Sequence, residues 1–206
     1  VIDSEFKQCT ANSGGKDVYA NGQNVNLICN DYDNKIKYGN GEVIGNVVKY
    51  VVSGTFAEVQ YRIDSTPNNS VLNLENKKYT ADDKDTTITV NKNITINGQG
   101  SILDADKKFR TMNVIDGVNV TLKNINFING KATGITSESD GGAIRTNAGN
   151  ITLINSTFTN IHADRFGGVI YSNKGNLTVI DSNFINTSAS TCGAIYSNGI
   201  TTVTNS

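Results

Sequence analysis

The chain has 206 residues and 22.1 kDa, is 37% hydrophobic, 18% charged and 7% aromatic, and carries one Pro, no Trp and a formal net charge of -1. A chain of this length buries about 70% of its unfolded surface, so one domain can build a core without disulfides or metal. The near-neutral balance, with no basic run, excludes nucleic acid or an anionic membrane surface as the main partner, and no apolar stretch approaches the roughly 18 residues that cross a bilayer.

Val1 opens no signal-peptide pattern. About thirty Asn and over twenty Thr, together about a quarter of the chain, are interleaved with Val and Ile. A disordered polar tract would lack those β-branched residues, so the pattern predicts strands punctuated by Asn and Gly turns.

Taken in chain order, the first element is already a repeat. Val1-Ile2-Asp3-Ser4-Glu5-Phe6 returns almost letter for letter as Val179-Ile180-Asp181-Ser182-Asn183-Phe184. The likeness continues through Ala11 and Ala189, Gly15 and Gly193, and Tyr19-Ala20-Asn21-Gly22 and Tyr196-Ser197-Asn198-Gly199. Residues 1–52 therefore read as a repeat-like coil with a connector. Phe56, Val59 and Ile63 then recur at the helical period and Pro67 follows, which predicts a helix within residues 53–67. Its expected task is to cap a stack of coils whose terminal turn exposes unpaired N–H and C=O groups.

Val71-Leu72-Asn73-Leu74 and Tyr79 predict a first strand and turn, and Ile88-Thr89-Val90 and Ile94-Thr95-Ile96-Asn97-Gly98 lead into the coils of residues 68–206. Between them Asp82-Asp83-Lys84-Asp85 reads either as a solvated acidic loop or as a Ca²⁺ seat, although its spacing is not that of a known calcium loop.

Four eleven-residue segments share one template: Asn24 to Asn34, Asn119 to Asn129, Asn150 to Asn160 and Asn176 to Asn186. Between them recur G-G-A-I-R-T-N from Gly141, G-G-V-I-Y-S-N from Gly167 and C-G-A-I-Y-S-N from Cys192, which sets a unit of about 25 residues. Each unit reads as three short strands joined by Asn and Gly turns. An antiparallel sandwich would not require the same motif in the same phase, whereas a coil that climbs one strand spacing per turn stacks like residues directly. The expected fold is thus an all-β, right-handed parallel β-helix with three short strands per coil and one N-terminal capping helix. Phe127, Phe158 and Phe184 should form an internal ladder and Asn129, Asn160 and Asn186 an amide ladder, with Ala143, Val169 and Ala194 facing a narrow interior.

Blocks of the form G-G-A-I-Y-x-N followed by N-L-T-V-x-N-S-x-F-x-N resemble the Asn/Thr-rich adhesin-like surface proteins of methanogenic archaea. They are more loosely similar to the repeats of chlamydial polymorphic membrane proteins. The helix from Phe56 to Ile63, with Val71 to Leu74 and Ile94 to Gly100, resembles the opening turns of pectin-lyase-like β-helices. The resemblance covers most of residues 1–34 and 55–206, while 35–54 match nothing. It implies a secreted, extracellular or cell-surface protein with a role in attachment, and it brings no catalytic residues.

The enzymes that share this architecture need paired carboxylates, for which Asp104 with Asp106, or Asp116 with Asp140, are the available candidates. The N-T-D, G-H-G and R-x-K constellation of the polygalacturonases is missing. His162, the single histidine, is expected in a solvated loop, with no second His for zinc and no adjacent nucleophile. No cofactor or metal motif is present, so a non-enzyme is expected. Cys9 and Cys29 admit a bridge in an oxidising compartment, or all three cysteines with Cys192 are free thiols. Seven N-x-Ser/Thr sequons, at Asn68, Asn93, Asn119, Asn150, Asn155, Asn176 and Asn186, hardly exceed chance in so Asn-rich a chain.

The residues singled out for binding or assembly are Tyr19, Arg145, Tyr171 and Tyr196, one per unit after the A-I strand. Such a file could stack sugar rings or meet a protein, or it could cover the corner by cross-coil stacking. The expected function is a non-catalytic display rod or attachment module whose partners are surface glycans or proteins. The alternative is a head-to-tail filament in which residues 1–34 complete a neighbour's β-helix, and a polysaccharide-active lyase or hydrolase ranks below both.

Overall fold

The computed structural model describes residues 54–206 together with the two strands Asn24–Cys29 and Asn46–Val52. The likeness of residues 1–22 to the repeat, Tyr19 and the Cys9–Cys29 pairing lie outside the described residues.

From residue 70 the chain winds into a parallel β-helix of about 5 turns. Three parallel sheets form its sides. Sheet I has 6 strands: Ser70–Asn73, Ile94–Asn97, Asn119–Lys123, Asn150–Ile154, Leu177–Ile180 and Thr201–Thr204. Sheet II stacks Lys78–Thr80, Ile102–Asp104, Asn126–Ile128, Thr157–Ala163 and Asn183–Ser188, with the short strand Lys131–Ala132 beside Thr157–Ala163. Sheet III stacks Ile88–Val90, Met112–Val114, Ile144–Thr146, Ile170–Ser172 and Ile195–Ser197.

Alternation along each strand sorts the side chains. In sheet I, Ile94 and Ile96, Val120 and Leu122, Ile151 and Leu153, and Leu177 and Val179 point inward and are buried, while the residues between them face out. The expected phenylalanine ladder is present: Phe127 and Phe158 stack with ring centres 4.7 Å apart, and Phe158 and Phe184 with centres 5.2 Å apart. Ala143 and Val169 are fully buried, and Ala194 in the last coil is half-buried.

The amide ladder differs in detail from the expectation. Asn186 donates its side-chain N–H to Asn160, but Asn129 donates to the Asp104 carboxylate, which takes the acceptor's place in the preceding coil. A second ladder, unread from the sequence, climbs the bend after sheet I: Asn97 donates to Asn73, Asn124 to Asn97 and Asn155 to Asn124. Asn124, Asn129, Asn155, Asn160 and Asn186 all hold φ between 46° and 56°. Asn tolerates that left-handed region better than any other residue with a Cβ, so its recurrence meets two demands at once: the sharp bend and the cross-coil bond.

Helix α1 (Phe56–Ser65) forms where the periodicity predicts it. The Thr55 hydroxyl accepts the Glu58 N–H, and the Asp85 carboxylate accepts those of Phe56 and Ala57 at 3.1 and 2.9 Å. Phe56, Val59 and Ile63 are buried in the core. Glu58 is buried as well, bonded to the Gly54 N–H and paired with Arg62 and Lys77. Asp85 and Asp82, two of the oxygens weighed for Ca²⁺, are thus committed to backbone N–H groups, and Asp83 pairs with Lys108 at 3.1 Å.

Before the helix, Asn46–Val52 pairs in parallel with Asn24–Cys29, with a register shift between Val25 and Asn26. The stretch Asn46–Val52 matched no template because, counted from Asn46, it puts Lys49 where the eleven-residue segments have an aliphatic and Gly54 where they have an aromatic.

Candidate functional site

Cross-coil register brings three of the four singled-out residues into one file on sheet III. Arg145 pairs with Tyr171, and Tyr171 with Tyr196; Asn113 and Thr89 continue the file towards the helix. The Tyr171 and Tyr196 rings lie 5.1 Å apart and within 5° of parallel, and the Arg145 guanidinium sits 6.0 Å over the Tyr171 ring. Phe166 tilts against Tyr196 at 5.1 Å and carries the Arg165 guanidinium at 5.0 Å. The aromatic planes therefore stack along the rod axis. Both sides of the Tyr171 ring are engaged, by Arg145 and by Tyr196, so this ring offers a ligand its edge and hydroxyl rather than its face.

The patch adjoins the one long coil. Asn119 and Asn93 bond across 26 residues, and so do Asn176 and Asn150, but Asn150 and Asn119 are 31 residues apart. The excess forms the loop of residues 133–140, with a single 3₁₀ turn at Ser137–Ser139. Arg110, only 4% exposed, holds the loop's end by donating to the carbonyls of Glu138, Asp140 and Gly141. Burial, with the like charge of Arg145, lowers the Arg110 pKa to about 10, which still leaves it a cation at neutral pH. Asp140 is buried beside Arg165 at 3.6 Å; burial raises its pKa against the opposing pull of Arg165 and the Phe166 N–H. One oxygen of Asp140 and the Nε of Arg145 have no partner among the described residues.

His162 lies within the strand Thr157–Ala163 rather than in the expected loop. Its Nδ1 is 2.9 Å from the Ser188 hydroxyl and its Nε2 is 2.9 Å from the Asp164 carboxylate, whose other oxygen accepts the Gly134 N–H. The Gly134 N–H foremost, and then His162, hold the Asp164 pKa below the usual carboxylate range. Ser188 is the hydroxyl neighbour that the sequence did not reveal, because it arrives by register from 26 residues away. The His162 and Asp164 side chains are 43% and 38% exposed, and the chain of bonds serves to tie the long loop to sheet II.

The carboxylates weighed for hydrolysis are each engaged elsewhere. Asp104 accepts from Lys78 at 2.7 Å, from Asn129 and from the Asp106 N–H; Asp106 pairs with Lys108; Asp116 accepts the Ala148 N–H. Among the described residues no group of three or more His, Cys, Asp or Glu is placed to hold a metal ion, and no helix is long and apolar enough to cross a membrane. Cys192 is an exposed free thiol.

No family model, curated protein or solved structure compared with the chain matches it.

Asp104 provides a pH test of coil-to-coil bonding. Burial pushes its pKa up, but the bonds from Lys78, Asn129 and the Asp106 N–H outweigh that and hold it below 3.8. A folded-state value below the unfolded one adds stability above the unfolded value, and that stability is lost as pH falls through the folded one. Asp104→Asn is therefore expected to lose about 1–2 kcal/mol at pH 7, with the gap to wild type narrowing near pH 3 in parallel urea titrations. An equal gap at both pH values would refute the assignment.

Proposed function

We propose that the chain is a non-catalytic, secreted or cell-surface adhesin-like protein that acts as a stiff display rod or attachment module. The observation that carries this reading is the fate of the repeated residues: the Phe, Asn and Gly positions that recur from coil to coil are used in stacking coils, and the acidic candidates for catalysis are tied into pairs and backbone bonds. The resemblance of the G-G-A-I-Y-x-N blocks to methanogen surface proteins supports the same reading. Beads coated with the chain are expected to adhere to cell surfaces, and incubation with pectin-like or cell-wall glycans is expected to release no new reducing ends. Glycan cleavage would sink the non-catalytic reading, and beads that adhere to no surface would sink the attachment role.

One observation favours a second reading, the head-to-tail filament. In the coil that ends at Ser206, Val203 is 51% exposed, although its register partner Val179 in the preceding coil is fully buried. A further coil set on that strand would cover Val203, and in the filament reading a second copy of the chain supplies it. Light scattering behind a sizing column over a concentration series, with negative-stain images, separates a 22.1 kDa monomer from rods that lengthen with concentration.

A further inference from the structure

The three sides of the β-helix repeat the same coil, yet their outward residues are sorted by chemistry. Sheet III carries Arg145 and the stacked tyrosines, and sheet II carries Lys78, Asp104, Lys131 and His162. Across all 6 strands of sheet I the only charged residue is Lys123. Its outward positions form files. Thr95, Thr121, Thr152, Thr178 and Thr202 stand in register on successive strands, with Val71 at the head. Asn93, Asn119, Asn150 and Asn176 run beside them.

The two files differ in what they leave free. The amide oxygen of Asn93 accepts the Asn119 N–H, that of Asn119 accepts the Asn150 side-chain N–H, and that of Asn150 accepts the Asn176 N–H, so this file is largely bonded along the rod. The hydroxyls of Thr95, Thr121, Thr152 and Thr178 make no protein hydrogen bond among the described residues. The result is a half-exposed face of methyl and hydroxyl groups, repeated at about 4.8 Å, with the file Asn97, Lys123, Ile154 and Ile180 on its other flank.

We infer that this face binds a neutral polysaccharide chain. A charged polymer laid on it would lose hydration and find one Lys as its only counter-charge, an uncompensated cost. A neutral polyol exchanges hydroxyl bonds with water for hydroxyl bonds with threonine and sets its C–H surfaces on the Thr methyls and Ile side chains. Each coil presents the same pair of groups, so a polymer with a regular repeat gains several weak contacts at once, while a single sugar gains one. This deepens the attachment reading and rests on it, and it places attachment on sheet I instead of the Arg145, Tyr171 and Tyr196 file.

The experiment is co-sedimentation of the 206-residue chain with powdered cellulose, chitin and mannan, against immobilised polygalacturonate and heparin. The test variant is Thr121→Val/Thr152→Val/Thr178→Val, which removes the hydroxyls and keeps the β-branched shape on the strands; Tyr171→Ala is the control on the other face. The expected result is retention on at least one neutral polymer, about tenfold weaker in the triple variant and unchanged in Tyr171→Ala, with equal circular dichroism for all three proteins. Retention only on the charged polymers, on none, or to the same degree in the triple variant overturns the inference. Should that happen while coated beads still adhere to cells, the attachment role stands and its surface lies elsewhere. Release of reducing ends would instead sink the non-catalytic reading and leave the binding result untouched.

Discussion

Phe158→Asp is expected to unfold the coil stack. Phe158 is fully buried and stacks on both sides, against Phe127 at 4.7 Å and Phe184 at 5.2 Å. Removing such a ring costs about 3–5 kcal/mol, and a carboxyl left there without a partner adds about 2–7 kcal/mol. Together these are comparable with the whole net stability of about 5–15 kcal/mol typical of a domain. Phe158→Leu keeps most of the apolar volume and should lose only about 1–2 kcal/mol, so the pair separates ring deletion from polarity. Thermal melts followed by far-ultraviolet circular dichroism report both. A cooperative transition for Phe158→Asp within a few degrees of wild type would mean that the ladder does not hold the coils together.

Gly168→Ala should be nearly as damaging, for a steric reason. A Cβ at Gly168 would lie 2.0 Å from the Gly193 carbonyl oxygen and 2.6 Å from that of Ser188, both backbone atoms of the next coil. Neither can move without breaking bonds such as Gly168 N–H to Cys192 O, at 2.9 Å. The strain should exceed the about 1–3 kcal/mol typical of an overpacked core. Gly193 occupies the same motif position one coil later, where a Cβ would meet nothing closer than the Thr187 carbonyl at 3.6 Å. Gly193→Ala is therefore expected to be nearly silent in the monomer, and it turns into an assembly test: if a further coil docks on this end, as the filament reading holds, the same methyl group blocks it. Equal melting losses for the two variants would refute the steric account.

Much of this architecture was legible before any coordinates. Where one template recurs in a climbing coil, stacking places like positions in contact, and Phe127, Phe158 and Phe184, 31 and 26 residues apart, were legible from their shared ninth place in the eleven-residue segments. The helix was legible from Phe56, Val59 and Ile63 because a 3.6-residue period stands out against a chain of period two. The strand Asn46–Val52 was not, since Lys49 and Gly54 stand where the template has its second aliphatic and its aromatic.

The candidate sites divide along the same line. Composition and phase by themselves determined the β-helix, its phenylalanine ladder and the file containing Arg145, Tyr171 and Tyr196, because these depend only on which residues repeat. Tertiary structure alone decided which side chains are left for a partner. The Tyr171 ring is covered by Arg145 and Tyr196, Arg110 disappears beneath the 133–140 loop, and His162 acquires Ser188 and Asp164. These outcomes depend on one coil being longer than its neighbours and on bonds between residues 26 to 31 positions apart. A repeat encodes the spacing of groups, whereas the bonds that occupy a hydroxyl, a ring face or a carboxylate are set only when the coils are stacked.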